Sequence, residues 1–333
     1  MVGDDIMFLF GFSARAGALA SGRVKMERAP ARWRARGFAA IAAGLIAYGL
    51  AALGLPASAL ASARLYMQSG GVTRSAVVIQ HAALKLRRRP LIIVLRPRNG
   101  GVRRHRLAFQ EIVESRKPVF LYPEPLAGGW PVAAGPNADR DTLFLHDLIN
   151  RFVNAGVGDP RKIFLVGEAS GGVFAFRAIC GGVGHSVAGI ATLGAAMPAD
   201  LAHCAGNPTA YIAVNNVANP NVPFGGGHAR FVGGSIQALP AEETLAMFAR
   251  RAGCGAKREE RPLIEHDSHG VARARGAILS YAGCRTPVEL LRIATLTPHT
   301  GSKTAHPAAP PASEGHNFDA ARKVWEFLKR NGA

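Results

Sequence analysis

The sequence predicts an α/β fold, a doubly wound and mostly parallel sheet with helices on both faces. Three observations carry that expectation. Short apolar runs recur along the chain, helix-length stripes separate some of them, and 333 residues that are 48% hydrophobic suffice for one large core. No internal repeat interrupts this order.

Six runs read as strands: residues 91–95, 119–122, 162–166, 188–194, 210–214 and 290–296. They are apolar throughout instead of alternating, as strands buried on both faces should be. Residues 141–154 place Leu145, Leu148, Ile149, Phe152 and Val153 along a helical stripe, and residues 318–328 do the same with Phe318, Ala321, Val324, Trp325 and Leu328. Strand, helix, strand order over this length gives the doubly wound arrangement. The Pro/Ala-rich stretch 302–315 reads as a flexible surface loop.

The amino end reads as an export signal. Arg28, Arg32, Arg34 and Arg36 precede an apolar run over residues 38–55, followed by Ala57-Ser58-Ala59-Leu60-Ala61-Ser62-Ala63. A basic segment, an apolar segment and an A-x-A site make a secretory signal, with cleavage expected near Ala61 or Ala63. Residues 1–63 are then an extension and signal peptide, and 64–333 a single secreted or periplasmic domain. An uncleaved membrane anchor stays open, because the run approaches the roughly 20 residues that span a bilayer. Met26 would be the natural start of such a signal.

Export makes disulfides the natural reading of Cys180, Cys204, Cys254 and Cys284, for which three pairings exist. Cys180–Cys204 and Cys254–Cys284 close the shortest loops and are the expected pairs. No C-x-x-C occurs and no His stands at zinc-ligand spacing, so neither a metal nor a cofactor is expected. His266 and His269, with Asp267 between them, read as a polar loop.

Formal net charge is +18, and part of it lies in one run: Lys85, Arg87, Arg88, Arg89, Arg96, Arg98, Arg103, Arg104 and Arg106. Such a run attracts nucleic acid, anionic lipid or an acidic polymer, and it reads equally as a solvated basic face. No zinc-finger, RNP or helix-turn-helix pattern accompanies it, so nucleic acid is not favoured. A membrane partner enters only through an uncleaved anchor or this basic face.

The segment Lys162-Ile163-Phe164-Leu165-Val166-Gly167-Glu168-Ala169-Ser170-Gly171-Gly172-Val173 is a strand, a glycine-bounded turn and a helix start. That is the context of G-x-S-x-G, the nucleophile elbow. With Gly167 and Gly171 as the flanks, the centre is Ala169. Shifting the frame by one centres Ser170 but puts the bulky Glu168 where a small residue is needed.

The chain resembles the secreted polyhydroxybutyrate depolymerase and feruloyl esterase family of α/β hydrolases. The resemblance runs from about Arg89 to the carboxyl end. It rests on residues 139–148, the Gly-Asp-Pro-Arg of 158–161, residues 174–180, Asn219-Pro220-Asn221-Val222-Pro223-Phe224, the cysteines 254 and 284, and the ending Phe318-Asp319-Ala320 to Trp325-Glu326-Phe327.

The resemblance implies a serine nucleophile where this chain has Ala169, a triad acid where it has Asn219, and a histidine at His299. It also implies an oxyanion-loop His-Gly where Arg96-Pro97 stands. Only the histidine is intact. Alanine offers no oxygen to attack a carbonyl. Asparagine holds imidazole in the wrong tautomer, a change that lowers kcat by about 10⁴ in a serine protease. Proline has no N–H to donate, and one lost oxyanion donor costs about 10²–10³.

Other polar residues near the motif have plainer readings. Ser170 is a turn residue supplying its N–H, or a displaced nucleophile with His299 as its base. Glu168 reads as an exposed carboxylate near a helix start, and Asp139 and Asp141 read as helix caps or supports of the elbow. The expectation is an inactive esterase scaffold binding an ester, polyester or anionic polymer. Two alternatives stay open: an active serine carboxylic-ester hydrolase using Ser170 and His299, and a membrane-tethered interaction protein. The sequence leaves the oligomeric state open.

Overall fold

The apolar runs assemble into the middle of one ten-stranded sheet. A computed structural model describes residues 60–81, 88–97, 118–204, 206–266, 272–294 and 320–333. The apolar export run, His299, Asp267, His269, the 302–315 stretch and most of the basic run lie outside the described residues.

In chain order the strands are β1 (Leu60–Ser69), β2 (Val72–His81), β3 (Arg89–Leu95), β4 (Val119–Pro123), β5 (Gly158–Glu168), β6 (Gly189–Leu193), β7 (Ala210–Asn216), β8 (Gly227–Phe231), β9 (Gly234–Ala238), β10 (Arg258–His266), β11 (Ala272–Tyr281) and β12 (Val288–Ile293). The described helices are α1 (Pro136–Asn154), α2 (Ser170–Cys180), α3 (Ala241–Arg251) and α4 (Ala320–Arg330). Sheet order is β1-β2-β4-β3-β5-β6-β7-β12-β11-β10, and β8 with β9 forms a separate hairpin. From β4 to β12 every neighbour is parallel. The flanking strands at both ends are antiparallel.

Alternate residues of the central strands feed two cores, which is why these runs are apolar on both faces. Leu91, Ile93 and Leu95 join Phe144, Leu148, Phe174, Leu245 and Phe248 on the side of α1, α2 and α3. Ile92 and Val94 join Val324, Trp325, Phe327 and Leu328 of α4 on the other side. The sheet is doubly wound, as its pattern predicts.

All six anticipated strands exist, with adjusted ends. β12 starts two residues before 290 and stops at Ile293, and β5 starts at Gly158, where a Cβ would stand 2.6 Å from Leu91 Cδ1. The sequence does not predict β1, β2, β8, β9, β10, β11 or α3. His266, expected in a loop, ends β10. Residues 60–63 lie in β1, paired with β2. Residues Ser58–Ala333 form one compact unit.

Asp141 departs from its capping reading. It is buried in the second turn of α1, where its Oδ1 accepts from Leu126 N at 3.0 Å and pairs with the buried Arg74 guanidinium of β2. Arg74 also lies over the Phe144 ring, 4.1 Å from its centre. Burial pushes the Asp141 carboxyl above the usual carboxylate range; the Leu126 N–H and the Arg74 charge oppose that shift. Both expected disulfides are present, Cys180–Cys204 and Cys254–Cys284.

Candidate active site

Strand order reverses at β3, with β4 on one side and β5 on the other. Ligands of open α/β sheets bind outside the carboxyl ends of strands at such a switch point. Three of the segments singled out from the sequence, those of Arg96, Ala169 and Asn219, lie along that end of the sheet. Leu95 pairs with Gly167, so Arg96-Pro97 leaves β3 beside the turn that leaves β5. Glu168 pairs with Leu193, and Leu193 with Val214, which brings the end of β7 alongside. Asn216 pairs with Ile293, the last residue of β12.

The turn between β5 and α2 is sharp. Ala169 has φ 48° and ψ −118°, and among the described residues it is the one non-glycine residue at positive φ. Its N–H donates to Leu193 O at 3.0 Å, and its carbonyl accepts from Gly172 N and Val173 N. Three glycines make room for the bend. A Cβ on Gly167 would meet Gly171 O at 2.6 Å, one on Gly171 would meet Leu95 O at 1.9 Å, and one on Gly172 would meet Ala195 Cβ at 2.5 Å. The two flanking glycines of the sequence motif therefore bracket Ala169, and the strained apex carries a methyl group.

Ser170 is the first residue of α2 and only 1% exposed; its hydroxyl is buried and hydrogen-bonds to no other group among the described residues. Glu168 is half-buried, not exposed. The Asn219 Oδ1 accepts from Asn221 N at 3.0 Å and Val222 N at 3.3 Å, a side-chain turn that holds the segment after β7. Arg96 is half-buried and reaches Glu124 Oε1 at 3.4 Å. Burial lowers its pKa, the Glu124 carboxylate opposing. Val132, Val173, Ala195, Val222, Ala229 and Ile236 form a small apolar cluster that joins the β8–β9 hairpin to the start of α2.

No family model matches the chain. It is 25% identical over 243 residues to "Putative esterase NocK" of Nocardia uniformis subsp. tsuyamanensis, an alignment covering 65% of each protein. The chain thus matches less than two thirds of that relative's length. Its fold is similar to that of a dienelactone hydrolase-like promiscuous phosphotriesterase from metagenomic libraries, with TM-score 0.52 and 9% identity over 83% of this chain and 100% of that one.

The chain has the α/β-hydrolase fold.

In α/β hydrolases the nucleophile stands on a strained strand-to-helix turn above the sheet, which is the conformation Ala169 adopts. Two ion pairs that shape this end of the fold escaped the sequence reading. Arg74–Asp141 ties β2 to α1, and Arg177 of α2 donates to Val132 O at 2.6 Å and to both Asp200 oxygens. Beside Arg177 lies an open groove of about 540 Å³, lined by Asp139, Thr142, His146, Cys180 and Asp200 among others. It sits along the C-terminal half of α2, away from the apex. Among the described residues no group of three or more His, Cys, Asp or Glu converges as a metal site.

Proposed function

We propose that this chain is a secreted esterase-type α/β hydrolase of the polyhydroxybutyrate depolymerase and feruloyl esterase kind that no longer hydrolyses esters. It serves instead to bind an ester, a polyester or an anionic envelope polymer in the inherited cleft. One observation carries the reading: the strained apex after β5 is Ala169, whose methyl group has no oxygen to form an acyl-enzyme. Two further features support it. Asn219 stands where the resemblance implies the acid, and Pro97 stands where a backbone donor would serve the oxyanion. The alternative nucleophile, Ser170, has its hydroxyl buried.

The test is a repair. The exported chain is expected to hydrolyse a short-chain p-nitrophenyl ester no faster than buffer. Ala169→Ser alone recovers little, because the acid and oxyanion defects remain. Adding Asn219→Asp recovers at least about tenfold more, part of the roughly 10⁴ that the acid contributes in a working triad. Aspartate can keep the turn to Asn221 and Val222 with one oxygen and present the other to an imidazole. Normal esterase rates from the single change, or hydrolysis by the unaltered chain with fluorophosphonate labelling of Ser170, would overturn the reading.

A further inference from the structure

We propose that the outer edge of β1 is a self-association surface, on which a second copy of this chain lays its own β1 antiparallel across a twofold axis. Among the described residues the large sheet ends in β1 on one side and β10 on the other. The two edges are finished differently. β10 carries Arg258, Glu259, Glu260 and Arg261, then Pro262, and its ladder shifts register between Leu263 and Ile264. Charges, a proline and a bulge are the devices that stop an edge from pairing. Residues 62–69 of β1 have one charged side chain, no proline and an unbroken register. At their middle stands Tyr66, 63% exposed and the most exposed large hydrophobic among the described residues.

The hydrogen-bond phase of β1 follows from its neighbours. Ser75 O of β2 accepts from Glu124 N at 3.0 Å, so Ser75 turns its backbone toward the β4 side. Opposite residues of an antiparallel pair alternate between exchanging both bonds and exchanging neither. Tyr66, opposite Ser75, therefore points its N–H and C=O away from β2, and so do Arg64 and Gln68 two residues to either side. Among the described residues no backbone bond outside the β1–β2 ladder reaches them.

A second β1 presents the same set, so outward residues must pair with outward residues. A twofold axis at Tyr66 sets Tyr66 against its counterpart and Arg64 against Gln68 of the second copy, and all three take part. Axes at the neighbouring Leu65 or Met67 bring only two of the three into mutual pairs. Charge agrees with the axis at Tyr66. Arg64 meets a neutral amide, and its own charge is held by Glu124 at 3.0 Å. Two aromatic rings face each other, a cross-strand pair that stabilises a ladder. The join runs two ten-stranded sheets into one with closed twofold symmetry.

The experiment is sedimentation equilibrium on the full chain, with urea midpoints to show that each variant is folded. The unaltered chain is expected to dimerise. Tyr66→Lys sets two like charges against each other only across the axis and should weaken the dimer at least about tenfold. An equimolar mixture with the Tyr66→Glu chain should restore it, as a dimer holding one chain of each kind, because the two altered residues meet. Val232→Lys, at another exposed apolar position, should change nothing. Amide exchange reads the same edge without any substitution: the N–H groups of Arg64, Tyr66 and Gln68 should be protected in concentrated chain and exchange faster on dilution. A monomeric unaltered chain, a dimer that survives Tyr66→Lys, a folded mixture that does not recover, or exchange indifferent to concentration each overturns the proposal.

Discussion

Ala169 occupies backbone space that an L-residue enters only under constraint, at a cost of about 1–3 kcal/mol. The constraint comes from the neighbours: its N–H is held by Leu193 and its carbonyl by two amides of α2. In an active hydrolase such strain is offset by what it does for a nucleophile, whereas a methyl group gains nothing from it. Ala169→Gly should therefore stabilise the chain. Glycine enters positive φ freely but loses about 0.5–1 kcal/mol more backbone entropy on folding. The net gain is about 1 kcal/mol, a rise of roughly 2–4 °C in Tm for a domain of this size. A Tm that falls on calorimetry would mean that the turn is not strained as its angles indicate.

At the level of elements, the elbow exists because β3, β5 and α2 approach more closely than side chains allow. Gly171→Ala would drive a Cβ to 1.9 Å from the Leu95 carbonyl oxygen, a backbone atom at the end of β3 that cannot rotate away. The expected cost is about 3 kcal/mol or more, at the upper end of overpacking. Gly225→Ala, where a Cβ meets nothing within 4 Å, should stay within about 0.5 kcal/mol. Equal urea midpoints for the two variants would show that the close approach is not required.

The same contrast separates what the sequence revealed from what it hid. Gly167 and Gly171 showed the bend because only small residues fit there, and the central strands showed themselves because both their faces are buried. β1 and β2 lie at the sheet margin and alternate, with Leu65, Ser69, Arg74 and Ala76 buried between exposed or half-buried neighbours. β10 is almost wholly exposed until Leu263, so no apolar run marks it. The Arg74–Asp141 and Arg292–Glu260 pairs join residues far apart in the chain and carry no local period. The resemblance pointed to Asn219, but nothing in it pointed to the use of the Asn219 oxygen by its own turn.

For the whole molecule, net charge and disulfides bear on where the chain lives and what it meets. The charge of +18 overstates the free basic surface. Within the run that stood out in the sequence, Arg88 is exposed, but Arg89 is buried with a nitrogen 2.8 Å from Gln80 Oε1, and Arg96 turns in toward Glu124. No helix among the described residues is long and apolar enough to cross a membrane. The disulfides carry more weight. Cys180–Cys204 ties the C-terminal end of α2 to the segment after β6, and Cys254–Cys284 ties the end of α3 to the β11–β12 connection, with sequence separations of 24 and 30. Closing loops of that length removes about 3–4 kcal/mol of entropy from the unfolded chain in each case. The Cys180→Ser/Cys204→Ser double variant should lose about that much stability in urea, and reductant should lower the unfolding midpoint of the unaltered chain further. Because α2 carries Ala169 at its amino end, loosening its other end should also speed amide exchange across the elbow. If reductant left both the midpoint and the exchange unchanged, the bridges would contribute nothing to the fold, and an oxidising compartment would lose its main structural support.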